Sequence, residues 1–511
     1  MDPTEALPDN ALANILRRLP VRDLAVSRCV RKAWCAVVNV HRLLLPHVLP
    51  RSVCGLFVNY IDYERPRFFA RPSMELPAIN GDLGYLPGYN TGHHQIVDHC
   101  NGLLIYGTEW TTEFFVTNPA TRRWESLPRL DAQNYNTYLV FDPTVSPHYE
   151  VFAIPMVPEK IIPVKKPSNS EELSQFSGPY CLNELFLLLE DTPPVKDLEE
   201  EYEDGPSELS SQETIEEETI EEDDLLAISA LSPTECTGKQ DDPEAEWPPS
   251  SWMLDVFSSS TKQWQKRLFV RQGEALETVA TVRLDRLNPT EWGPRWRYSV
   301  YWEGALYVHC RGAFVVRLLL QDGKYQLVKT PINIEESQHA EPYLGKSEKG
   351  IYFATVHCHS ELRVWIFNVS GGQISWELKH HIDLNPQTMI YQPKVINETW
   401  FLYGDNDEDG TNKILGRENC EWNSDDDNIL NIDDDYEFSN SYYSFLGFHP
   451  YKEIVFLEVS SFRGVAYHLN SSKVHYLGKF RPKDYYQGHS NGIYETFPYT
   501  PCMVGELSEC G

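Results

Sequence analysis

The chain has 511 residues, of which 41% are hydrophobic and 23% are charged, and its formal net charge at pH 7 is −31. This composition is typical of a globular protein with a small module and one or two larger domains. Because affinity for DNA and RNA depends on clustered Lys and Arg, we expect no nucleic-acid partner, and the apolar runs are too short to predict a membrane span.

The amino terminus and the cysteines predict the compartment. Residues 1–5 are acidic and no apolar segment follows them, so we expect no signal peptide. The 11 cysteines are an odd number and contain no C-x-x-C pair. This pattern predicts neither a disulfide framework nor a zinc ribbon. We therefore expect a reducing compartment, the cytoplasm and/or the nucleus.

The first predicted helix follows Leu7-Pro8 and has one apolar stripe. Residues spaced i, i+3, i+4 and i+7 form it: Leu12, Ile15, Leu16 and Leu19. Pro8 suits a helix start, and either Asp9 or Asn10 can accept from the first free N–H groups. Pro20 lacks an N–H and predicts the end of the helix.

A second helical ladder follows a short turn of helix at Asp23 and Leu24. Its apolar residues are Val26, Cys29, Val30, Ala33, Trp34 and Val37. Two short helices cannot bury a stable core alone, so the segment is typical of a docking module completed by a partner. The first 50 residues contain seven Lys or Arg and four Asp or Glu, a local charge of +3 that favours an acidic partner.

Residues 5–48 resemble the F-box family, which combines two Leu-Pro pairs, an Asp-Leu pair and a helix with Val and Trp. The resemblance implies a three-helix module that docks on the Skp-type adaptor of a cullin-type ubiquitin ligase. Its implied adaptor-binding residues are Leu7, Pro8, Ile15, Leu16, Leu19, Pro20, Leu24, Val30 and Trp34. The alternative is that these residues only pack against the rest of the chain.

Beyond residue 50 a tight turn followed by a strand recurs. The copies begin near Gly55, Asn101-Gly102, Glu150, Glu303-Gly304, Lys349-Gly350, Glu398 and Glu453. The copies lie 46 to 48 residues apart where no acidic run intervenes. Asn-Gly favours a hairpin turn because both residues accept a positive φ. A period of about 47 residues with four strands is the size of a propeller blade.

A second hairpin follows each start and ends in an aromatic residue. The examples are Val116 to Trp124, Val256 to Trp264, Trp365 to Trp376, Phe314 to Tyr325 and Tyr467 to Tyr476. We predict a mainly β body with six or seven blades, in which Trp124, Trp264 and Trp376 lie between blades. The strand at Gly55 is expected to pair with the strand at Gly492 and close the ring. A two-sheet sandwich is the structural alternative.

The negative charge is concentrated in two runs. Residues 190–246 contain 22 Asp or Glu and two Lys, and residues 405–437 contain 13 acids and two bases. Both are poor in aromatic and β-branched residues, so we predict a disordered insertion and a second acidic loop. The expected domains are therefore residues 1–48 and residues 52–505, the second interrupted by these runs.

The body also resembles the F-box-associated β-propeller of plant F-box proteins. The similar segments are Asn101-Gly102-Leu103-Leu104, Asn118-Pro119-Ala120-Thr121, Phe141-Asp142-Pro143, Ser146-Pro147-His148-Tyr149-Glu150-Val151, Tyr301-Trp302, Leu446-Gly447-Phe448-His449-Pro450 and Tyr499-Thr500-Pro501-Cys502. Regular kelch Gly-Gly pairs and a Trp-Asp signature are absent from the sequence.

No catalytic or cofactor motif is present. The run at Asp405 imitates a calcium loop, but Gly416 stands where a Glu is required. His357 and His359 are expected on one face of a strand, and two ligands do not make a metal site. Together with this lack of motifs, the resemblance to the F-box family implies a non-catalytic substrate receptor without cofactor or metal, which binds a Skp-type adaptor, through it a cullin, and a target protein. The alternatives are a propeller scaffold without ligase recruitment and a propeller enzyme.

Overall fold

The computed structural model describes the helical segment and most of the β body. The described residues are 7–19, 23–24, 27, 30–41, 43, 52–61, 63–71, 81–89, 92–108, 113–130, 135–157, 242–285, 298–370, 373–384, 400–403, 442–460, 462–483, 485 and 492–502. The acidic loop 405–437 and residues 190–241 of the acidic insertion lie outside these ranges, so their predicted disorder stays a prediction.

The amino-terminal module contains helices α1 (Asp9–Leu16) and α2 (Lys32–Val40). Residues 23–24, 27 and 30 are also helical, Arg31 is not, and residues 25–26 and 28–29 lie outside the described residues. The predicted ladder from Val26 to Val37 is therefore interrupted immediately before α2. Pro8 is the N-cap of α1, and no side chain caps the helix. The expected cap by Asp9 or Asn10 is therefore wrong, because the chain is already helical at Asp9.

Strands β1 (Gly55–Tyr60) and β2 (Arg67–Ala70) begin the first blade of the body. Blade 2 consists of β3 (His94–Cys100), β4 (Leu103–Thr108), β5 (Phe114–Asn118) and β6 (Arg123–Ser126). Blade 3 consists of β7 (Tyr135–Val140), β8 (Glu150–Pro155), β10 (Ser251–Ser258) and β11 (Gln263–Gln272). The short strands β9 (Glu246–Trp247) and β12 (Glu277–Thr278) pair beside it and lead into α3 (Val279–Leu284).

The next three blades follow in chain order. Blade 4 consists of β13 (Ser299–Trp302), β14 (Ala305–Cys310), β15 (Phe314–Leu319) and β16 (Lys324–Lys329). A 3₁₀ turn (Glu336–His339) leads to blade 5, which consists of β17 (Ala340–Ser347), β18 (Gly350–His357), β19 (Glu361–Ser370) and β20 (Gln373–Asp383). Blade 6 consists of β22 (Tyr443–Phe448), β23 (Ile454–Val459), β24 (Arg463–His468) and β25 (Val474–Lys479).

Blade 1 is completed by two strands from later in the chain. Strand β26 (Ile493–Tyr499) pairs antiparallel with β1, and Phe57 lies opposite Phe497. Strand β21 (Phe401–Tyr403) pairs with the outer side of β2. The first blade thus has the order β26-β1-β2-β21. The predicted closure between the Gly55 strand and the carboxyl-terminal strand is confirmed.

The blade number follows from the fate of the seven sequence copies. Six of them form the second strand of a four-stranded blade within the described residues, namely β1, β4, β8, β14, β18 and β23. The copy near Glu398 instead leads into β21, the fourth strand of blade 1. The described body is therefore β-propeller-like with six blades, and the prediction of six or seven is resolved to six.

Apolar clusters join each blade to the next around the ring. In the described part of the chain, six clusters lie between consecutive blades, and each combines side chains from both. Blades 3 and 4 are also joined by hydrogen bonding, because β11 and β16 pair in parallel with Arg271 opposite Tyr325. Since each blade covers the apolar face of its neighbour, the blades depend on one another for stability.

The end of the acidic insertion is ordered, so the expectation of disorder is wrong for residues 242–246. The Val279 N–H donates to the Ala245 carbonyl and the Ala280 N–H donates to the Pro243 carbonyl, both at 2.9 Å. Ala245 packs on the cluster between blades 3 and 4, and Trp247 is buried there. These contacts hold the segment although it is acidic. None of the described helices has the length and apolar character needed to cross a bilayer.

Candidate functional site

The helical module has its own hydrophobic core. The buried residues are Leu12, Ala13, Leu16, Leu24, Val37, Val38 and Leu43, and Leu19 and Trp34 pack against them. Four of the predicted adaptor-binding residues, Leu16, Leu19, Leu24 and Trp34, are therefore wholly or partly used inside the module. Leu16 and Leu24 are 1% and 0% exposed, so they cannot contact a partner directly. They can only hold the surface residues of the module in position.

Three other predicted adaptor-binding residues lie on the surface. Leu7, Ile15 and Val30 are 37%, 51% and 57% exposed. Pro8 is exposed beside Leu7, and Pro20 lies outside the described residues. We call Leu7, Ile15 and Val30 the exposed apolar set. Large apolar side chains usually avoid water, so this set has the character of a surface that a partner covers.

Helix geometry explains why Ile15 is exposed although the sequence stripe includes it. At 100° per residue, Leu12, Leu16 and Ala13 cover one continuous arc of α1, and Ile15 lies about 60° outside its edge. The arc faces α2, where Val37 and Val38 are buried. The predicted stripe is thus rotated by part of a turn from the buried arc of α1. It leaves out Ala13, which contributes to the core.

The second candidate is a cavity on the axis of the β body, which the sequence did not predict. The first strands of blades 2 to 5, β3, β7, β13 and β17, line it together with the end of β22 and with β26. The cavity volume is about 70 Å³. That volume has room for a few waters or for the end of one side chain.

Ionisable side chains face this axial cavity. Asp98 accepts from the Leu139 N–H at 2.6 Å and from the Ser299 hydroxyl at 3.1 Å, and burial raises its pKa to about 7. Burial and the nearby Asp98 carboxyl hold the pKa of Glu495 well above its ordinary value. Burial lowers the pKa of His99 to about 3, so its imidazole is neutral at physiological pH.

One cation lines the same cavity. The Lys346 ammonium donates to the Asn101 side-chain oxygen at 2.9 Å, and burial lowers its pKa. Two carboxyl groups and one ammonium group therefore share a small space. The sequence could not predict that Asp98, Lys346 and Glu495 lie close together, because each lies on a different blade.

The histidine pair considered as metal ligands is not a strand pair. Strand β18 ends at His357, and Cys358 and His359 follow in the left-handed region with φ of 47° and 58°. The expected common strand face is therefore wrong, because the chain turns there towards β19. Among the residues that the structure describes, no group of three or more His, Cys, Asp or Glu is placed to hold a metal ion.

Comparison with known proteins identifies several plant F-box proteins as relatives of this chain. No protein-family model matches the chain. An F-box protein of Arabidopsis thaliana is 29% identical over 159 residues, which cover 29% of this chain and 37% of the relative. Two more Arabidopsis proteins named as F-box proteins are 24% identical over 189 residues and 27% identical over 166 residues. The 189-residue match covers 32% of this chain and 51% of the relative. The 166-residue match covers 32% of this chain and 55% of the relative.

The solved structure of YCF48 bound to a D1 peptide matches 84% of this chain and 82% of that chain. Its TM-score of 0.27 and identity of 8% are too low to support an argument about fold or function.

The matches to the Arabidopsis proteins span about half of those proteins or less. The Arabidopsis relatives and the β-propeller-like body together confirm the resemblance of this chain to plant F-box proteins.

Proposed function

We propose that the chain is a substrate-receptor subunit of a Skp–cullin–F-box ubiquitin ligase. In this role the helical module binds a Skp-type adaptor, and through it a cullin, while the β body holds a target protein. The chain itself makes and breaks no covalent bond. It accelerates ubiquitin transfer by raising the effective concentration of target lysines near the ubiquitin-loaded enzyme.

The exposed apolar set is the observation on which the adaptor role rests. Leu7, Ile15 and Val30 are each more than a third exposed although the module has a core of its own. Burying one such side chain completely against a partner is worth about 1.5–3 kcal/mol. The three side chains together supply at most about 4.5–9 kcal/mol. That gain offsets only part of the association cost of about 4–15 kcal/mol, so further contacts with the adaptor must contribute.

The local charge supports the same partner. Arg17, Arg18, Arg31 and Lys32 are exposed on the module. A basic surface attracts an acidic adaptor and raises the rate of encounter. This contribution falls with ionic strength, whereas the apolar contribution does not.

Capture of a purified Skp-type adaptor by the full chain tests the proposal. Ile15→Asp and Val30→Asp should each weaken capture at least tenfold, because each replaces an exposed apolar side chain with a carboxylate that a partner would have to desolvate. Val40→Asp is the matched control, since Val40 is 77% exposed on α2 and is not among the predicted adaptor-binding residues. Equal capture by all three variants would contradict the assignment of the docking surface. Absence of capture by the unmodified chain would contradict the proposed function as a whole.

A further inference from the structure

We propose that the axial cavity binds the cationic end of a lysine or arginine side chain of the target protein. This inference rests on the proposed function, in which the β body holds the target. If the cavity binds in this way, the target protein must present an exposed lysine or arginine. The argument depends on the cavity, on its carboxyl groups and on the position of the only lysine that lines it among the described residues.

The cavity has the size and access that one side chain needs. It lies where the first strands of the six blades meet. His99, Ser299, Lys346 and Glu495 line it and keep partial exposure, so solvent reaches the interior. A volume of about 70 Å³ admits an ammonium or guanidinium group with part of its stem.

The carboxyl groups lack a cation in the described structure. Asp98 accepts hydrogen bonds from the backbone N–H groups of Leu139 and His99 and from the Ser299 hydroxyl, all of which are neutral donors. Within the described ranges, Glu495 lines the cavity without a hydrogen bond or an ion pair. The hydroxyl oxygen of Thr500, a lining residue that is 5% exposed, also has no partner. An ammonium supplies three donors and a guanidinium five, which such a set of acceptors can receive.

Lys346 does not replace the missing cation. Its ammonium donates to the Asn101 side-chain oxygen, and the Asp142 carboxyl favours its charged form. The charge that acts on Glu495 is that of Asp98. Lys346 thus forms no hydrogen bond or ion pair with either carboxyl group in the described part of the chain. A second cation is therefore favoured beside the carboxyl pair.

Aromatic rings form the wall beside the carboxyl pair. Tyr298 and Tyr343 have ring centroids 4.0 Å apart, and Phe448 lies 6.0 Å from Tyr343. All three line the cavity. Ring faces attract cations, and they also pack against the methylene stem of lysine or arginine. The wall thereby favours a long cationic side chain over a bare metal ion.

Binding of a cation should release protons. Asp98 and Glu495 are more readily protonated than ordinary carboxyl groups, because burial raises the pKa of both and the Asp98 carboxyl raises that of Glu495 further. A cation favours the ionised carboxylates, so affinity should increase from pH 6 to pH 8. Other titratable groups also line the cavity. They are His99, Cys100, Lys346 and five tyrosines, Tyr138, Tyr298, Tyr301, Tyr343 and Tyr451. Burial raises the pKa of Tyr298, Tyr301 and Tyr343, so these three stay neutral in this range.

Saturation-transfer NMR on the full chain tests the inference with three probes of similar length. They are the N-acetyl, N-methylamide derivatives of arginine, lysine and neutral citrulline. We expect signal from the arginine or lysine probe, at least tenfold weaker binding of the citrulline probe, and stronger binding of the charged probe at pH 8 than at pH 6. Glu495→Gln should reduce binding of the charged probe about tenfold. Lys346→Met, which removes a repelling charge, should not weaken it.

Equal signals from the charged and neutral probes would overturn the proposal, and this comparison needs no variant to fold. Binding that Glu495→Gln leaves unchanged would also overturn it, since the cation would then lie elsewhere. Adaptor capture separates this proposal from the function on which it rests. Loss of the cation site leaves adaptor capture by the helical module intact, whereas an incorrect ligase assignment abolishes capture and leaves probe binding unaffected.

Discussion

The indole nitrogen of Trp376 donates a hydrogen bond to the carbonyl oxygen of Lys329, at 2.9 Å, and so joins the fourth strand of blade 5 to the end of the fourth strand of blade 4. Trp264 makes the same contact between blades 3 and 2. Its indole nitrogen donates at 2.7 Å to the carbonyl of Pro128, which follows the fourth strand of blade 2. The aromatic residue that marks the sequence repeat is thus the residue that joins neighbouring blades.

Replacement of Trp376 by Phe should destabilise the β body by about 1 kcal/mol or more. The change removes the indole N–H and leaves the Lys329 carbonyl without its donor, and a net hydrogen bond is worth about 0.5–1.5 kcal/mol. Loss of ring contacts with Phe353 and Phe367 adds to the cost. The free energy of unfolding in guanidinium chloride measures the effect.

The matched control for this change is Trp124→Phe. Trp124 packs on the cluster between blades 1 and 2, as Trp376 packs on the cluster between blades 4 and 5. Its indole nitrogen, however, makes no hydrogen bond within the described ranges. The Trp124 variant should therefore lose less stability than the Trp376 variant. Equal losses would show that the ring, and not the hydrogen bond, stabilises the interface.

Gly102→Ala should destabilise the body more than Gly304→Ala. Both glycines follow a residue with positive φ in a turn between the first two strands of a blade, and their own φ values are 91° and 78°. A Cβ at Gly102 would lie 2.4 Å from the Cβ of Cys502, whereas a Cβ at Gly304 meets nothing within 4 Å. Gly304→Ala therefore carries only the backbone cost of about 1–2 kcal/mol, and Gly102→Ala adds a clash worth a further 1–3 kcal/mol.

Thermal unfolding of the two glycine variants, followed by circular dichroism, distinguishes these costs. A lower midpoint for Gly102→Ala than for Gly304→Ala is the expected result. It would show that the close approach of the chain end to the β3–β4 turn contributes to closure of the ring. Equal midpoints would mean that Cys502 moves aside without cost.

The repeat made the architecture predictable, because a blade needs an aromatic and a turn at fixed intervals. Trp124, Trp264 and Trp376 were placed between blades from their spacing alone, and the clusters confirm that placement. The copy near Glu398 misled the count. It has the strand pattern of a blade start. Its strand β21, however, pairs with β2 and becomes the fourth strand of blade 1. Local pattern does not encode the partner of an edge strand.

The axial cavity could not be predicted in the same way. Asp98 lies on β3 and Glu495 lies on β26, and only closure of the ring brings them together. Neither residue belongs to a motif. The same limit applies to Ile15, whose exposure depends on which side of α1 faces α2. The spacing of Leu12, Ile15 and Leu16 predicts an apolar stripe on α1. Which of these residues are buried depends on how α1 packs against α2.

Leu16→Ala and Ile15→Ala should separate the core of the helical module from its surface. Leu16 is 1% exposed, and truncation of such a residue costs about 2–5 kcal/mol. Ile15 is half exposed, so its truncation should cost little. Hydrogen exchange of α1 and α2 in the full chain, followed by mass spectrometry, should be faster in the Leu16 variant and unchanged in the Ile15 variant. Faster exchange in both would mean that Ile15 also supports the core.

Glu458→Gln should change how the stability of the body depends on pH. Glu458 is 5% exposed on β23 and accepts from the Phe462 N–H at 2.9 Å. Burial, assisted by the nearby Glu341 carboxyl, raises its pKa to about 7, against 4.5 for the ordinary side chain. The native state therefore holds a proton that the unfolded chain loses between these two values.

The sign of the effect follows from this difference. Below about pH 4.5 the protonated Glu458 contributes its full stability, and that contribution is lost as the pH rises through 7. Gln keeps an oxygen for the Phe462 N–H and does not ionise, so its contribution stays constant. The stability of the variant relative to the unmodified chain should thus increase by about 3 kcal/mol between pH 4.5 and pH 8. Unfolding free energies at these two pH values measure the difference. Parallel pH profiles of the two proteins would mean that Glu458 titrates as an ordinary carboxyl group.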